Sequence, residues 1–161
     1  MPRQIVLLIT LWFATTTAVL AQTNINLGGM TVDRSSAIEV TSESLSVDQE
    51  TGTAVFIGNV IIGQGDMRLS AGRVEIVYAE ATSEIARLVA TEGVTFATAS
   101  EAAEAQSADY DIATGLLTLS GEVLLTQGPS AVSAERMIVN VDDGTAQMEG
   151  RVRTVLQQGR N

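Results

Sequence analysis

The sequence predicts an all-β fold, a twisted antiparallel roll built from repeated β-hairpins, and three observations carry that prediction. Residues 45–77 and 108–140 align without a gap at a constant offset of 63. Apolar side chains alternate with polar ones along segments rich in β-branched residues, the period of a strand with one covered face. Asp and Gly recur between those segments, at positions that hairpin turns favour. The matched identities are Asp48/Asp111, Thr51/Thr114, Gly52/Gly115, Gly58/Gly121, Val60/Val123, Gln64/Gln127, Gly65/Gly128, Ser70/Ser133, Ala71/Ala134 and Arg73/Arg136. A period of this kind is one supersecondary unit copied, so the shared residues are scaffold before they are anything else.

Taken in chain order, residues 1–21 read as an address rather than as structure. Arg3 supplies a positive start, Ile5 to Leu20 is apolar, and Val19-Leu20-Ala21 presents short residues where a signal peptidase cuts. Cleavage is expected between Ala21 and Gln22. An apolar stretch of this length is short for a bilayer span, which takes roughly 20 residues. Residues 22–35 are expected to be a flexible N-terminal segment, 36–155 a single domain, and 156–161 a flexible C-terminal tail.

Within the domain, Ile38 to Val47 is the first expected strand. Thr53 to Ile62 follows, with Ala54, Phe56, Gly58, Val60 and Ile62 on one face. The offset of 63 puts Leu117, Leu119, Gly121, Val123 and Leu125 on the equivalent face of the second copy, and this copy names the inner face because its alternate residues are Leu116, Thr118, Ser120 and Glu122. Val74, Ile76 and Tyr78, with Met137, Val139 and Val141, have the opposite parity to Arg73 and Arg136, so those arginines are expected on a solvated face. Ile85 to Phe96 alternates Leu88, Ala90, Val94 and Phe96 around Gly93, which marks a bulge. Ala99 to Gln106 has strong helix propensity. Subtracting 63 lands it on Ser36 to Glu43, next to the strand-like Ile38-Glu39-Val40-Thr41, and strand is the prediction. A fainter third copy, Gly144 to Val152, echoes Gly52 to Val60 at an offset of 92, with Ala146, Met148, Gly150 and Val152 inward.

Composition excludes much chemistry. The chain has no Cys and no His, and it carries no Lys, so thiolate nucleophiles, His-based triads, His/Cys zinc sites and the P-loop lysine are all missing. Without Arg3, 8 basic residues face 19 carboxylates, a net charge near −11 that repels nucleic acid. Asp48 and Asp111 stand before Thr-Gly turns and read as turn caps rather than catalytic acids. Gly63-Gln64-Gly65-Asp66 is too short a match to a calcium turn to predict a metal. Trp12, the only tryptophan, leaves with the leader, which removes the usual aromatic platform for sugars. No catalytic residue, metal or cofactor is expected.

A cleavable leader, Asp-x-x-Thr-Gly turns, strands carrying Gly-x-Val, and Ser-Ala-x-Arg segments leading the next strand together resemble the OstA-like, or LptA, family of periplasmic lipopolysaccharide-transport proteins over roughly residues 36–155. Gly58-Asn59-Val60 is similar to the family's typical tripeptide. Gly121-Glu122-Val123 and Gly150-Arg151-Val152 depart from it at the middle position, and Gly72 and Glu135 stand where an Asp is common. The resemblance implies a β-jellyroll, open along its length, that shields lipid A acyl chains between the two membranes. Its implied partners are lipopolysaccharide, an inner-membrane anchored protein of the same fold, and the N-terminal domain of the outer-membrane translocon. An envelope module without lipid cargo, such as a carbohydrate-binding jellyroll, stays open as an alternative, as does the anchored partner itself if residues 1–21 are retained.

On this reading the lipid-facing groove comprises Phe56, Val60, Ile62, Ile76, Leu88, Phe96, Leu117, Leu119, Val123, Leu125, Val139, Met148 and Val152, with glycines leaving room beside them. The two end strands show no Lys or Pro to protect their edges. Ile38, Glu39 and Glu43 on the first, and Arg151 and Arg153 on the last, are the expected docking edges. Opposite charges there favour head-to-tail self-association by strand addition.

Overall fold

The alternating segments become ladders in the structure, a computed structural model that describes residues 23–26 as backbone and residues 35–156 in full. In chain order the strands are β1 (Thr23–Asn26), β2 (Glu39–Thr41), β3 (Ser44–Asp48), β4 (Thr53–Gln64), β5 (Met67–Tyr78), β6 (Ile85–Thr91), β7 (Val94–Ala97), β8 (Glu101–Ala105), β9 (Ser107–Asp111), β10 (Leu116–Gln127), β11 (Ser130–Asn140), β12 (Thr145–Glu149) and β13 (Arg153–Val155). They form one antiparallel sheet of 13 strands. Glu101–Ala105 is a strand despite its helix propensity, because both its edges are paired, with β7 and with β10. The expected leader, its cleavage point and residues 157–161 lie outside the described residues.

The long strands bend, and each serves two neighbours on one side. β4 pairs with β3 through Thr53–Ile57 and with β2 through Ile61–Gly63. β5 divides in the same way between β6 and β7, β10 between β9 and β8, and β11 between β12 and β13. The sheet therefore has two halves hinged along one line. Their apolar faces meet: a cavity of about 20 Å³ is lined by Ile62, Met67 and Leu69 from one half and by Leu88, Ala90, Ala108, Tyr110 and Leu117 from the other. That is room for about one water, so the interior between the halves is filled.

The hinge line is written by the Gly-x-Val motif. Gly58-Asn59, Gly121-Glu122 and Gly150-Arg151 share one left-handed geometry, with φ of 84° and 45°, 85° and 49°, and 77° and 43°. In β4 two residues stand opposite one, since Ile57 pairs with Arg73 and Val60 with Ala71; Ser120/Arg136 and Val123/Ala134 repeat the arrangement in β10. These are β-bulges, which bend a strand and increase its twist. Across the bulge the facing strand changes parity, its buried residues running Met67, Leu69, Ala71 and then Val74, Ile76 on β5, and Val132, Ala134 and then Met137, Val139 on β11. Ser-Ala-x-Arg spans that switch, turning its Ala inward while its Arg faces out beside Glu75 or Glu149.

A polar side chain lies over each of the three glycines. The backbone N–H groups of Glu43, Gln106 and Glu135 donate to the carbonyls of Gly58, Gly121 and Gly150, each at 3.0 Å. Their side chains then meet the residue after the glycine: Asn59 Nδ2 donates to Glu43 Oε1 at 2.5 Å, Gln106 Nε2 to Glu122 Oε2 at 2.8 Å, and Arg151 Nε to Glu135 Oε1 at 2.7 Å. A Cβ on Gly121 would lie 2.7 Å from Gln106 Oε1. The space beside the glycines is thus occupied by these clasps on the outer surface, which corrects the expectation that it widens an inner groove.

Other boundaries also differ from the sequence reading. The first and last expected strands are each split at the hinge, into β2 and β3 and into β12 and β13, and Ile85 to Phe96 is split at Glu92-Gly93, where φ is 66° and 78°. Within the expected N-terminal segment, Thr23–Asn26 pairs with β12. Val152, expected inward, is 40% exposed, whereas its counterparts Val60 and Val123 are 0% exposed. The reason is position: no described strand covers the outer edge beside Val152.

Candidate functional site

Of the expected groove residues, Val60, Ile62, Ile76, Leu88, Phe96, Leu117, Leu119, Val123, Leu125, Val139 and Met148 are buried in a single apolar core. Phe56 is partly buried against it, and Val152 lies outside it. The inner surface is therefore closed over most of its length and comes to the outside at the first sheet edge. There, among the described residues, β3 pairs on one side only, with β4. Leu45 stands opposite Phe56 and Val47 opposite Ala54, so both lie on the inner face, yet they are 54% and 61% exposed. In the second half Val40 stands opposite Ile62, and with Ile38 it packs partly buried against the core.

The result is an apolar lip of Ile38, Val40, Leu45, Val47 and Phe56 that is continuous with the core. Leu45 and Val47 were not among the sequence candidates, although the repeat held the signal. Adding 63 leads to Ala108 and Tyr110, which are buried because β9 is covered by β6 on its outer side. β3 is the same strand with no such cover among the described residues.

The five expected docking residues separate. Glu39 is on β2, opposite Gly63, and Arg153 is on β13, opposite Ser133, so both sit on the end strands. Ile38 joins the lip. Glu43 and Arg151 do not belong to the free edges, since each is engaged in a hinge clasp, Glu43 with Asn59 and Arg151 with Glu135. Arg87 pairs with Asp109 across β6 and β9, which raises the affinity of its guanidinium for its proton.

The recurring acids are turn caps. Asp48 Oδ1 accepts from the N–H groups of Glu50 at 2.8 Å and Thr51 at 3.2 Å, and Asp111 Oδ1 accepts from that of Thr114 at 2.9 Å. The backbone donors of Thr51 and Thr114 are the main cause holding these two carboxyls below their usual range. Glu101 is a buried acid that sequence reasoning missed. Burial pushes its carboxyl up, but hydrogen bonds from Ser100, Thr98 and Gln127 outweigh that and leave it lowered. Gln127 is one of the repeated residues, and its counterpart Gln64 donates instead to the carbonyl of Ser36 at 3.2 Å. Among the described residues no group of three or more Asp or Glu side chains gathers where a metal ion could sit.

These features define a two-halved antiparallel β-roll whose apolar core surfaces at one sheet edge. Comparison with known proteins makes this specific. The chain belongs to the family described as LptA/(LptD N-terminal domain) LPS transport protein, whose profile matches residues 39–145. It is 26% identical over 151 residues to an uncharacterized protein of Rhizobium meliloti (strain 1021), covering 86% of this chain and 81% of that protein. Its fold matches the crystal structure of LptH, the LptA-homologous periplasmic component of the lipopolysaccharide transport device of Pseudomonas aeruginosa, at a TM-score of 0.70 and 16% identity, covering 79% of this chain and 99% of that one. The fold class expected from the sequence, an all-β OstA-like jellyroll, is the one found, and the family is one of transport proteins rather than enzymes.

Proposed function

We propose that this chain is a periplasmic lipopolysaccharide carrier that shields lipid A acyl chains on its way between the membranes. The observation that supports this most directly is the lip, where Leu45 and Val47 lie exposed on the face that the rest of the fold keeps buried. Acyl burial is worth about 0.8 kcal/mol per CH₂ and needs no directional chemistry, so an exposed aliphatic strip suffices for binding. A chain of about twelve carbons gains on the order of 10 kcal/mol gross, before ordering costs. Deeper seating requires the end strands β2 and β3 to yield, because the interior is already filled.

Transfer onward is strand addition at the sheet ends. An inner-membrane anchored domain of the same fold and the N-terminal domain of the outer-membrane translocon each extend the roll, and a second copy of this chain does so head to tail. Among the described residues the outer edges of β2 and β3 carry no further strand, which supports this reading, and a partner docked there continues the apolar face across the joint. The rival reading, an envelope module without lipid cargo, draws on the filled interior. Mass spectrometry of an organic extract of the protein purified from a Gram-negative envelope decides between them. Lipid A in the extract, lost when Leu45 and Val47 are replaced by Ser, is the expected result; an extract free of lipid A rejects lipid carriage.

A further inference from the structure

At the far end of the sheet, the outer edge of β12 is covered by β1. β1 places Thr23, Asn24, Ile25 and Asn26 opposite Met148, Gln147, Ala146 and Thr145 of β12. The echo at offset 92 maps those four β12 positions back onto Phe56, Val55, Ala54 and Thr53 of β4. On β4 the same positions carry β3, with Leu45, Ser46, Val47 and Asp48 opposite them in that order. β1 on β12 thus holds the register of β3 on β4 residue for residue. The free edge of β3 has its own counterpart inside the fold, where β9 lies on β6 with Ala108 opposite Ala90 and Tyr110 opposite Leu88, the places that Met148 and Ala146 hold on β12. Direction agrees as well: every step across the sheet from β4 to β12 is antiparallel, those two strands run the same way, and so do β3 and β1.

We propose that residues 23–26 are an intramolecular plug that imitates β3, occupying the edge that β3 of a second copy takes on assembly. The proposal rests on the head-to-tail reading above and adds its regulation. A copy translated along the stacking direction without inversion sets its β3 on β12 and its β2 on β13. Among the described residues β13 pairs only with β11, so its outer edge is open while that of β12 is covered. Docking of β2, which carries Glu39, beside Arg153 of β13 is the first step, and displacement of β1 by β3 the second. The exchange sets Leu45 and Val47, exposed in the free chain, opposite Met148 and Ala146, where β1 has Thr23 and Ile25. β1 belongs to the same chain as β12, so it competes intramolecularly with the β3 of a second copy for that edge. The plug therefore sets the concentration at which copies assemble.

The absence of cysteine from the chain permits a clean test. Asn24→Cys combined with Gln147→Cys places a pair across directly opposed positions of β1 and β12, and assembly of the chain from residue 22 onward is followed by sedimentation velocity against concentration. Oxidation to an internal disulfide is expected to raise the assembly midpoint at least about tenfold, and reduction to restore it, while Asn24→Pro with Ile25→Pro lowers the midpoint below that of the unaltered chain. Equal midpoints for the oxidised, reduced and proline-bearing chains overturn the plug and leave strand addition standing. Disulfide-linked dimers in place of closed monomers overturn it too, since β1 then belongs to a neighbouring copy. Absence of assembly in every form, the proline variant included, removes both the plug and the head-to-tail reading beneath it.

Discussion

Replacing Gly121 by Ala tests whether the hinge line is held by its glycines. Gly121 has φ of 85°, and an added Cβ would stand 2.7 Å from Gln106 Oε1 and 2.9 Å from Gln106 Cβ. Placing a residue with a Cβ in that conformation costs about 1–2 kcal/mol. Clearing the Gln106 side chain away breaks its bond to Glu122, worth roughly 0.5–1.5 kcal/mol net. The two together come to about 1.5–3.5 kcal/mol. At roughly 3–4 °C per kcal/mol for a domain of this size, the thermal midpoint falls by about 5–14 °C. Gly128 provides the control, because it has φ of 53° with nothing within 4 Å of its added Cβ. Gly128→Ala therefore meets the backbone cost without the collision and shifts the midpoint by about half as much. Paired unfolding curves followed by circular dichroism measure both. Equal shifts for the two variants would refute the clasp as a structural element.

Leu119 and Leu45 separate core from lip. Leu119 is 0% exposed, so Leu119→Asn creates a cavity and strands a polar group, costing about 3–5 kcal/mol in urea unfolding, whereas Leu45→Ser changes stability by less than about 1 kcal/mol. A tolerated Leu119→Asn would mean that the interior is not closed. Acid sensitivity follows from Glu101, Asp48 and Asp111, all held below their usual range. Each stabilises the fold above its unfolded pKa, and that contribution is lost as pH falls through the lower folded value. Glu101→Gln is expected to flatten the loss of stability between neutral pH and the carboxylate range, and an unchanged pH profile would show that its hydrogen bonds are not what favours the ionised form. Arg151→Glu sets like charge against Glu135 and should loosen the last bulge, read as faster amide exchange on β12 and β13; unaltered protection would leave the Arg151–Glu135 pair without structural weight.

Much of the architecture could be read from the chain because a copied unit constrains itself twice. Ala99 to Gln106 alone would have been assigned to a helix, and only its alignment with Ser36 to Glu43 pointed to strand. Simple alternation also worked within each half, from Leu117 to Leu119 and from Val123 to Leu125. It failed across the hinge, at Ala71 to Val74, because a change of parity needs left-handed backbone in the opposing strand, and Gly-x-Val spells that conformation without announcing it. Glu43 and Arg151 were read as edge charges since their sequence position is near the ends. Their partners, Asn59 and Glu135, are 16 residues away and adjacent only after folding.

By itself the sequence determined the strands, their turns and the greasy face, since alternation, Asp caps and glycines act over a few residues and are local. Tertiary structure alone decided which part of that face is closed. Tyr110 is 5% exposed and Val47, at the matching place in the repeat, is 61% exposed, because β6 lies beside the strand of the first and no described strand lies beside that of the second. Cover comes from chain neighbours distant in sequence, and the same holds for β1, whose four residues matter only because folding returns them to β12.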